Sequence, residues 1–185
     1  VKSRVVKAKE LFHKIAETAW NCADPGLFYY DNVNKWHTVP NDGPIITSNP
    51  CGEFVHLPYT ACNLSSINLL KFLEFKGTKC YFKIEDFIHT VQVMITAMEI
   101  LVSYSDYPIP KIKEMSEKYR PLGLGYANLG ALIMSLGIPY DSESARIIAA
   151  SITTLMTSVA YMQSSDIARN IGSFEGLRNN AEAFE

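Results

Sequence analysis

Several common classes of protein are excluded by what this sequence does not contain. There is no Cys-x-x-Cys pair. The four cysteines stand at 22, 51, 62 and 80, a spacing that supports neither a common zinc module nor a thioredoxin-like centre. There is no excess of positive charge either. Lys and Arg number 17 against 19 Asp and Glu, a net charge of −2, so no basic surface is available to neutralise phosphates and nucleic acid is not an expected partner. No basic segment leads into an apolar one in the manner of a secretory signal. The longest apolar helical stretch, residues 87–104, contains His89, Gln92 and Glu99 and reads as a core helix, with no membrane span expected. Internal repeats, low-complexity tracts and linkers are missing too. Cysteines without a disulfide framework suit a reducing cytoplasm.

What is present suits a globular protein. The 185 residues are 48% apolar and 19% charged, enough for one domain with a sizeable core. Apolar residues at helical spacing (Ala8, Leu11, Phe12, Ile15, Ala19) predict an amphipathic helix over 5–19, broken by Asp24-Pro25-Gly26. The apolar run Leu27-Phe28-Tyr29-Tyr30 suits a strand better than a base-stacking platform. Residues 31–48 are polar and read as loop, 62–70 as an extended segment, and 77–83 as a turn with a short strand. Helices are expected from Asp86 to about 103, over 111–119, over 123–136 with Gly137 as its stop, and over 144–170 after the cap signal Asp141-Ser142-Glu143-Ser144. The expected fold class is helix-rich α/β.

The chemistry concentrates in Ser48-Asn49-Pro50-Cys51-Gly52-Glu53. An amide, a thiol and a carboxylate stand on alternate positions, and alternation, if kept, points them the same way. Pro50 and Gly52 make a regular strand or helix improbable there and a shaped loop the better reading. A second thiol follows in Cys62-Asn63-Leu64-Ser65-Ser66-Ile67-Asn68-Leu69. The remaining candidates are weaker. Gly123-Leu124-Gly125-Tyr126-Ala127-Asn128 fails as a dinucleotide fingerprint, because Asn128 stands where the third Gly is needed, and reads as close helix packing. Asp141 and Glu143 suit a helix N-terminus. His13, His37 and His89 read as surface or packing residues, and Cys22 and Cys80 as buried or incidental thiols.

Asn49-Pro50-Cys51-Gly52-Glu53, followed by Leu57-Pro58-Tyr59 and the Cys62 segment, resembles the active-site region of ribonucleotide reductase large subunits, and among them the adenosylcobalamin-dependent (class II) enzymes. The resemblance continues through Asp106-Tyr107-Pro108-Ile109-Pro110, Arg120-Pro121-Leu122-Gly123-Leu124-Gly125, Leu136-Gly137-Ile138-Pro139-Tyr140 and Gly172-Ser173-Phe174. It implies part of a ten-stranded α/β barrel, with residues 1–185 forming part of one catalytic domain and a central finger loop at about 49–56.

The resemblance also implies a mechanism. Adenosylcobalamin would give rise to a thiyl radical on Cys51, which takes the 3′-hydrogen of the ribose. Glu53 would act as general base at the 3′-hydroxyl, and Asn49 would hold a sugar hydroxyl through an amide able to donate and accept. Pro50 and Gly52 would shape the loop so that backbone groups approach the substrate. Cys62 would be one of two reducing thiols, re-reduced by an external, thioredoxin-like dithiol. The implied substrate is a ribonucleoside di- or triphosphate. The family's partner for Cys62 lies far upstream and has no match here, nor does its phosphate-binding segment. The chain opens on Val1 and stops at Glu185, whereas family members are several times longer. An internal piece is therefore expected, inactive alone, with exposed apolar surface for the remaining segments of the reductase. Two other readings stand beside this one. The first is an iron-dependent (class I) large subunit, and the second a non-catalytic helical module holding zinc through Cys51, His56 and Cys62.

Overall fold

The chain divides at Pro58 into two units, residues 1–58 and 59–185. The computed structural model describes residues 4–77 and 79–184.

In the first unit, helix α1 (Ala8–Cys22) ends at Ala23, whose φ of 64° places it in the left-handed region and whose N–H reaches Ala19 O at 2.8 Å. None of its residues is buried, and Leu11, Phe12 and Trp20 are exposed. The strand expected over Leu27-Phe28-Tyr29-Tyr30 does not form. The chain instead enters a short helix, α2 (Tyr30–Asn34), because Asn34 ties its end to a distant segment. The Asn34 amide donates to Tyr30 O and Ile45 O, and its Oδ1 accepts from Ile45 N, all at 2.9 Å. The segment expected as loop also holds a single 3-10 turn, Pro40–Asp42. Val39, Ile45 and Leu57 form the small buried apolar set of this unit.

The second unit is built on two parallel strands, β1 (Asn63–Asn68) and β4 (Leu122–Ala127), paired from Asn63↔Leu122 to Asn68↔Ala127. Between them in sequence come the antiparallel hairpin β2 (Leu73–Lys76) and β3 (Lys79–Phe82) and the helices α3 (Ile84–Tyr104) and α4 (Pro110–Tyr119). After β4 follow α5 (Leu129–Ser135), α6 (Glu143–Ile171), a 3-10 turn and α7 (Ala181–Phe184). The periodicity of α3 appears in its buried positions, Phe87, Val91, Ile95, Met98 and Val102, and that of α6 in Ala145, Ile152, Met156 and Val159. From these stripes Phe87, Val91, Ile95, Ile152, Met156 and Val159 meet Ile67, Leu69, Phe72 and Leu132 in one core, with Leu122, Leu124 and Tyr126 of β4 packed against it. By length and composition alone, α3 and α6 could each cross a membrane; here their buried stripes pack against each other and against the strands.

Caps explain the helix boundaries. Pro110 supplies the first residue of α4, and Ser142 Oγ accepts from Ala145 N at 3.2 Å to start α6, as its sequence signal predicts. Gly137, at φ 70°, follows the end of α5.

The helix expected over 123–136 is a correction: residues 122–127 are strand, and only 129–135 are helical. Gly123 and Gly125 therefore serve close strand packing and not close helix packing. Paired positions of a parallel ladder share a face, so Gly123 and Gly125 lie with Leu64 and Ser66, opposite the core. A Cβ at Gly123 would stand 2.4 Å from Leu64 Cδ2 and 3.3 Å from Asn63 O, which a side chain there could not accept unchanged.

Phe87 has no exposed surface and meets the Phe72 and Phe82 rings at centroid distances of 5.2 and 5.5 Å. Phe87→Ala should destabilise the second unit by about 3–5 kcal/mol. Tyr104→Ala, on the same helix but 85% exposed, should stay within about 0.5 kcal/mol. Urea denaturation of both variants checks the contrast, and equal costs would contradict this core.

Candidate active site

The loop carrying Asn49, Cys51 and Glu53 is closed by a single antiparallel bridge between Ser48 and Val55. Within it, Asn49 does most of the shaping. Its N–H donates to Phe54 O at 3.2 Å, its carbonyl accepts from Gly52 N at 3.1 Å, and its side-chain Oδ1 accepts from Phe54 N at 2.9 Å. Pro50, with its fixed φ, stands at the second position of the resulting turn over 49–52. Gly52 takes a φ of 85°, a conformation that L side chains resist. The shaped loop is thus present, with a turn over 49–52 where strand-like alternation would have pointed the three side chains the same way. Cys51 and Glu53 are exposed and Asn49 is half-buried. Among the described residues, Glu53 is in no ion pair.

The backing of the loop is aromatic. His56 stacks on Phe54, with centroids 6.0 Å apart and planes within 1°, and meets the His37 ring edge-on at 6.2 Å. His37 is buried. Its Nδ1 accepts from Val39 N at 3.4 Å, so Nε2 carries the hydrogen and donates to Gly43 O at 2.9 Å. Burial first, and the His37 ring second, hold the His56 imidazole down from 6.5 to about 4. Both rings also line a cavity of about 490 Å³ together with Tyr29, Trp36, Gly52 and Val55.

Cys62 stands in the second unit, immediately before β1, with its Sγ 3.5 Å from Asn63 O. Two hydrogen bonds bracket it. On one side Ala61 N donates to Ser116 Oγ at 2.9 Å, and on the other the Asn63 amide donates to Met98 O at 3.1 Å. The entry of β1 is thereby tied to α4 and α3. Ser116, fully buried, gave no signal in a helix of mixed charge. The end of α4 is fixed in turn by Arg120, a left-handed cap at φ 48°. Its guanidinium pairs with Glu99 and donates to Glu99 O and Ser103 Oγ at 2.9 Å each.

Cys22 is exposed, its thiol donating to Thr18 O at 3.2 Å, and Cys80 is half-buried on β3. All four cysteines are thiols. Among the described residues, no three His, Cys, Asp or Glu side chains converge in a metal-ligating group.

The family model described as "Ribonucleotide reductase, barrel domain" matches residues 1–184. The chain belongs to the ribonucleotide reductase family. Its parallel strands with packed helices are the helix-rich α/β elements of that barrel domain. It is 48% identical over 178 residues to the vitamin B12-dependent ribonucleotide reductase of Streptomyces avermitilis, covering 96% of this chain and 18% of that protein. It is 49% identical over 179 residues to the enzyme of the same name from Streptomyces coelicolor, with 96% and 18% coverage. With the vitamin B12-dependent ribonucleoside-diphosphate reductase of Mycobacterium tuberculosis it shares 36% identity over 173 residues, 94% of this chain and 24% of that protein. This reductase chain thus spans less than a quarter of the length of these relatives.

The suppressed basicity of His56 makes the first unit sensitive to acid. Between pH 6.5 and about 4 the unfolded chain binds a proton at His56 that the folded chain does not, so stability falls as the pH drops through this window. The urea midpoint of the first unit should therefore decrease more steeply between pH ~7 and ~4.5 than that of a His56→Phe variant. Parallel pH profiles would contradict the burial of a neutral imidazole.

Proposed function

We propose that this chain is the part of a vitamin B12-dependent ribonucleotide reductase that carries the radical-bearing thiol, converting ribonucleotides into 2′-deoxyribonucleotides. The observation that supports this best is the bridge-closed loop over 48–55, which presents an exposed thiol and an exposed carboxylate on a turn held by Asn49. On this reading residues 1–185 form part of one catalytic barrel domain, and 49–56 are its finger loop.

Cys51 and Gly52 are the residues that would face adenosylcobalamin, the cofactor to which the relatives' B12 dependence points. The fit rests on access. Cys51 is exposed, and nothing lies within 4 Å of the place a Cβ on Gly52 would take, so a bulky group can come up to the thiol. When bound, the cofactor supplies the homolytic chemistry that removes a hydrogen atom from that thiol.

Each residue then has a defined task. Cys51 Sγ, as a thiyl radical, takes the 3′-hydrogen of the ribose, and Glu53 accepts the 3′-hydroxyl proton. Asn49 binds a sugar hydroxyl. Its Oδ1 already accepts from Phe54 N, and the side chain has its N–H donors and a second Oδ1 lone pair for the substrate. Pro50 and Gly52 keep the loop thin enough for backbone approach. Cys62 and a second thiol together give up two protons and two electrons and join as a disulfide, while the 2′-hydroxyl leaves as water and a hydrogen takes its place at C2′; Cys51 then returns the hydrogen atom to C3′, and Glu53 returns the proton to the 3′-oxygen. An external dithiol of thioredoxin type restores the pair by exchange, in a reducing cytoplasm. The substrate is a ribonucleoside di- or triphosphate. The remaining segments of the reductase supply the second thiol and the phosphate grip, and cover exposed apolar residues such as Ile100, Tyr104 and Met162.

In the intact reductase that contains this chain, Cys51→Ser should lower deoxyribonucleotide formation by roughly a thousandfold or more, as loss of a covalent participant does. Glu53→Gln should lower it by about a hundredfold or more, the usual scale for a general base. Cys62→Ser should end multiple turnover. The purified 185-residue chain, given adenosylcobalamin and a dithiol, should form no deoxyribonucleotide catalytically, since the sugar is not held at attack distance. Activity retained by Cys51→Ser would overturn the radical assignment.

A further inference from the structure

Gly123 stands on β4 opposite Leu64, on the sheet face away from the core. A Cβ built there would lie 2.9 Å from Cys62 Sγ, closer than real Cβ contacts come. The three atoms in its way differ in how they can respond. Leu64 Cδ2, at 2.4 Å, ends a flexible side chain that is 65% exposed and can swing into solvent. Asn63 O, at 3.3 Å, is backbone within the ladder. Cys62 Sγ has one rotatable bond, and the residues on both sides of it are tied, Ala61 by its backbone N–H to Ser116 Oγ and Asn63 by its side-chain amide to Met98 O. The displacement therefore falls on the sulfur. Gly123 is not among the positive-φ glycines, so alanine can take its backbone conformation without strain.

We propose that Gly123 is a positioning residue for the Cys62 thiol: by carrying no side chain it keeps open the space in which Sγ sits. This rests on the reading of Cys62 as a reducing thiol. Gly125, two residues on and on the same face, is the internal control. A Cβ there would meet only Ser65 O and Ser66 Oγ, both at an ordinary 3.9 Å.

The test compares Gly123→Ala and Gly125→Ala in the full chain by iodoacetamide labelling, with Cys80 as reference thiol. Gly123→Ala should change the Cys62 rate at least about threefold relative to Cys80, and Gly125→Ala should leave it within about twofold. In the intact reductase, Gly123→Ala should lower kcat, counted per folded enzyme, by about tenfold with KM for the ribonucleotide unchanged. If Gly123→Ala lowers Tm, adding Cys62→Ala should restore it; restoration by Leu64→Ala alone would overturn the proposal. So would an unchanged Cys62 labelling rate. Multiple turnover by Cys62→Ser would instead remove the redox role of Cys62 and leave the labelling comparison standing, so the two failures are distinguishable.

Discussion

Where β1 runs beside β4, the Leu64 side chain and the Cys62 sulfur lie over Gly123, in space that any other residue would fill. The opposite face of the same two strands carries Ile67, Leu122, Leu124 and Tyr126, which join the core formed with α3 and α6. The sheet is thus apolar and covered on one side, and bare enough on the other for a thiol to approach the backbone. Most of what places Cys62 follows from that asymmetry. The core fixes the plane of the strands, Ser116 and Asn63 fix the entry of β1, and the missing side chain at Gly123 leaves the sulfur its room.

The loop of the first unit is organised by a different economy of groups. A loop this short has few hydrogen bonds available, and among the described residues Asn49 takes part in four: two between backbone groups, one through its Oδ1, and one accepted by its carbonyl from Ser48 Oγ. The residue proposed to touch substrate is also the one that shapes its own loop. A substitution at Asn49 would therefore alter recognition and loop geometry together, and its effect on turnover could not be divided between the two from rates alone. Cys51 and Glu53, which among the described residues make no such bonds, can be replaced with less consequence for the turn.

Much of this was legible in the sequence, for reasons that differ by element. Helices α3, α4 and α6 announce themselves by long periodic stripes and by Pro110 and Ser142 at their starts, which are local signals. The Asn49-Pro50-Cys51-Gly52-Glu53 loop was legible because Pro and Gly constrain the backbone whatever surrounds them. The errors fall where partners decide. Leu27-Phe28-Tyr29-Tyr30 looks like a strand, but what fixes its end is Asn34 reaching across to Ile45, a contact invisible at short range. Residues 122–127 look unlike a strand because glycine is a poor strand former, and only the neighbouring Leu64 and Cys62 explain why glycine is needed. Ser116 carries no signal at all, since a serine in a mixed-charge helix reads the same whether or not it receives a distant N–H.

The pairing of β1 with β4 engages one edge of each strand, and among the described residues the other edges enter no ladder. Alternate N–H and C=O groups along those edges are unsaturated valences in the hydrogen-bonding sense. A sheet in this condition is addressable from both sides by backbone complementarity, which reads no side chain and so cannot by itself tell one extended segment from another. Discrimination among neighbours must come from the two faces, where a joining strand would have to match the apolar layer on one side and the clear space beside Cys62 on the other.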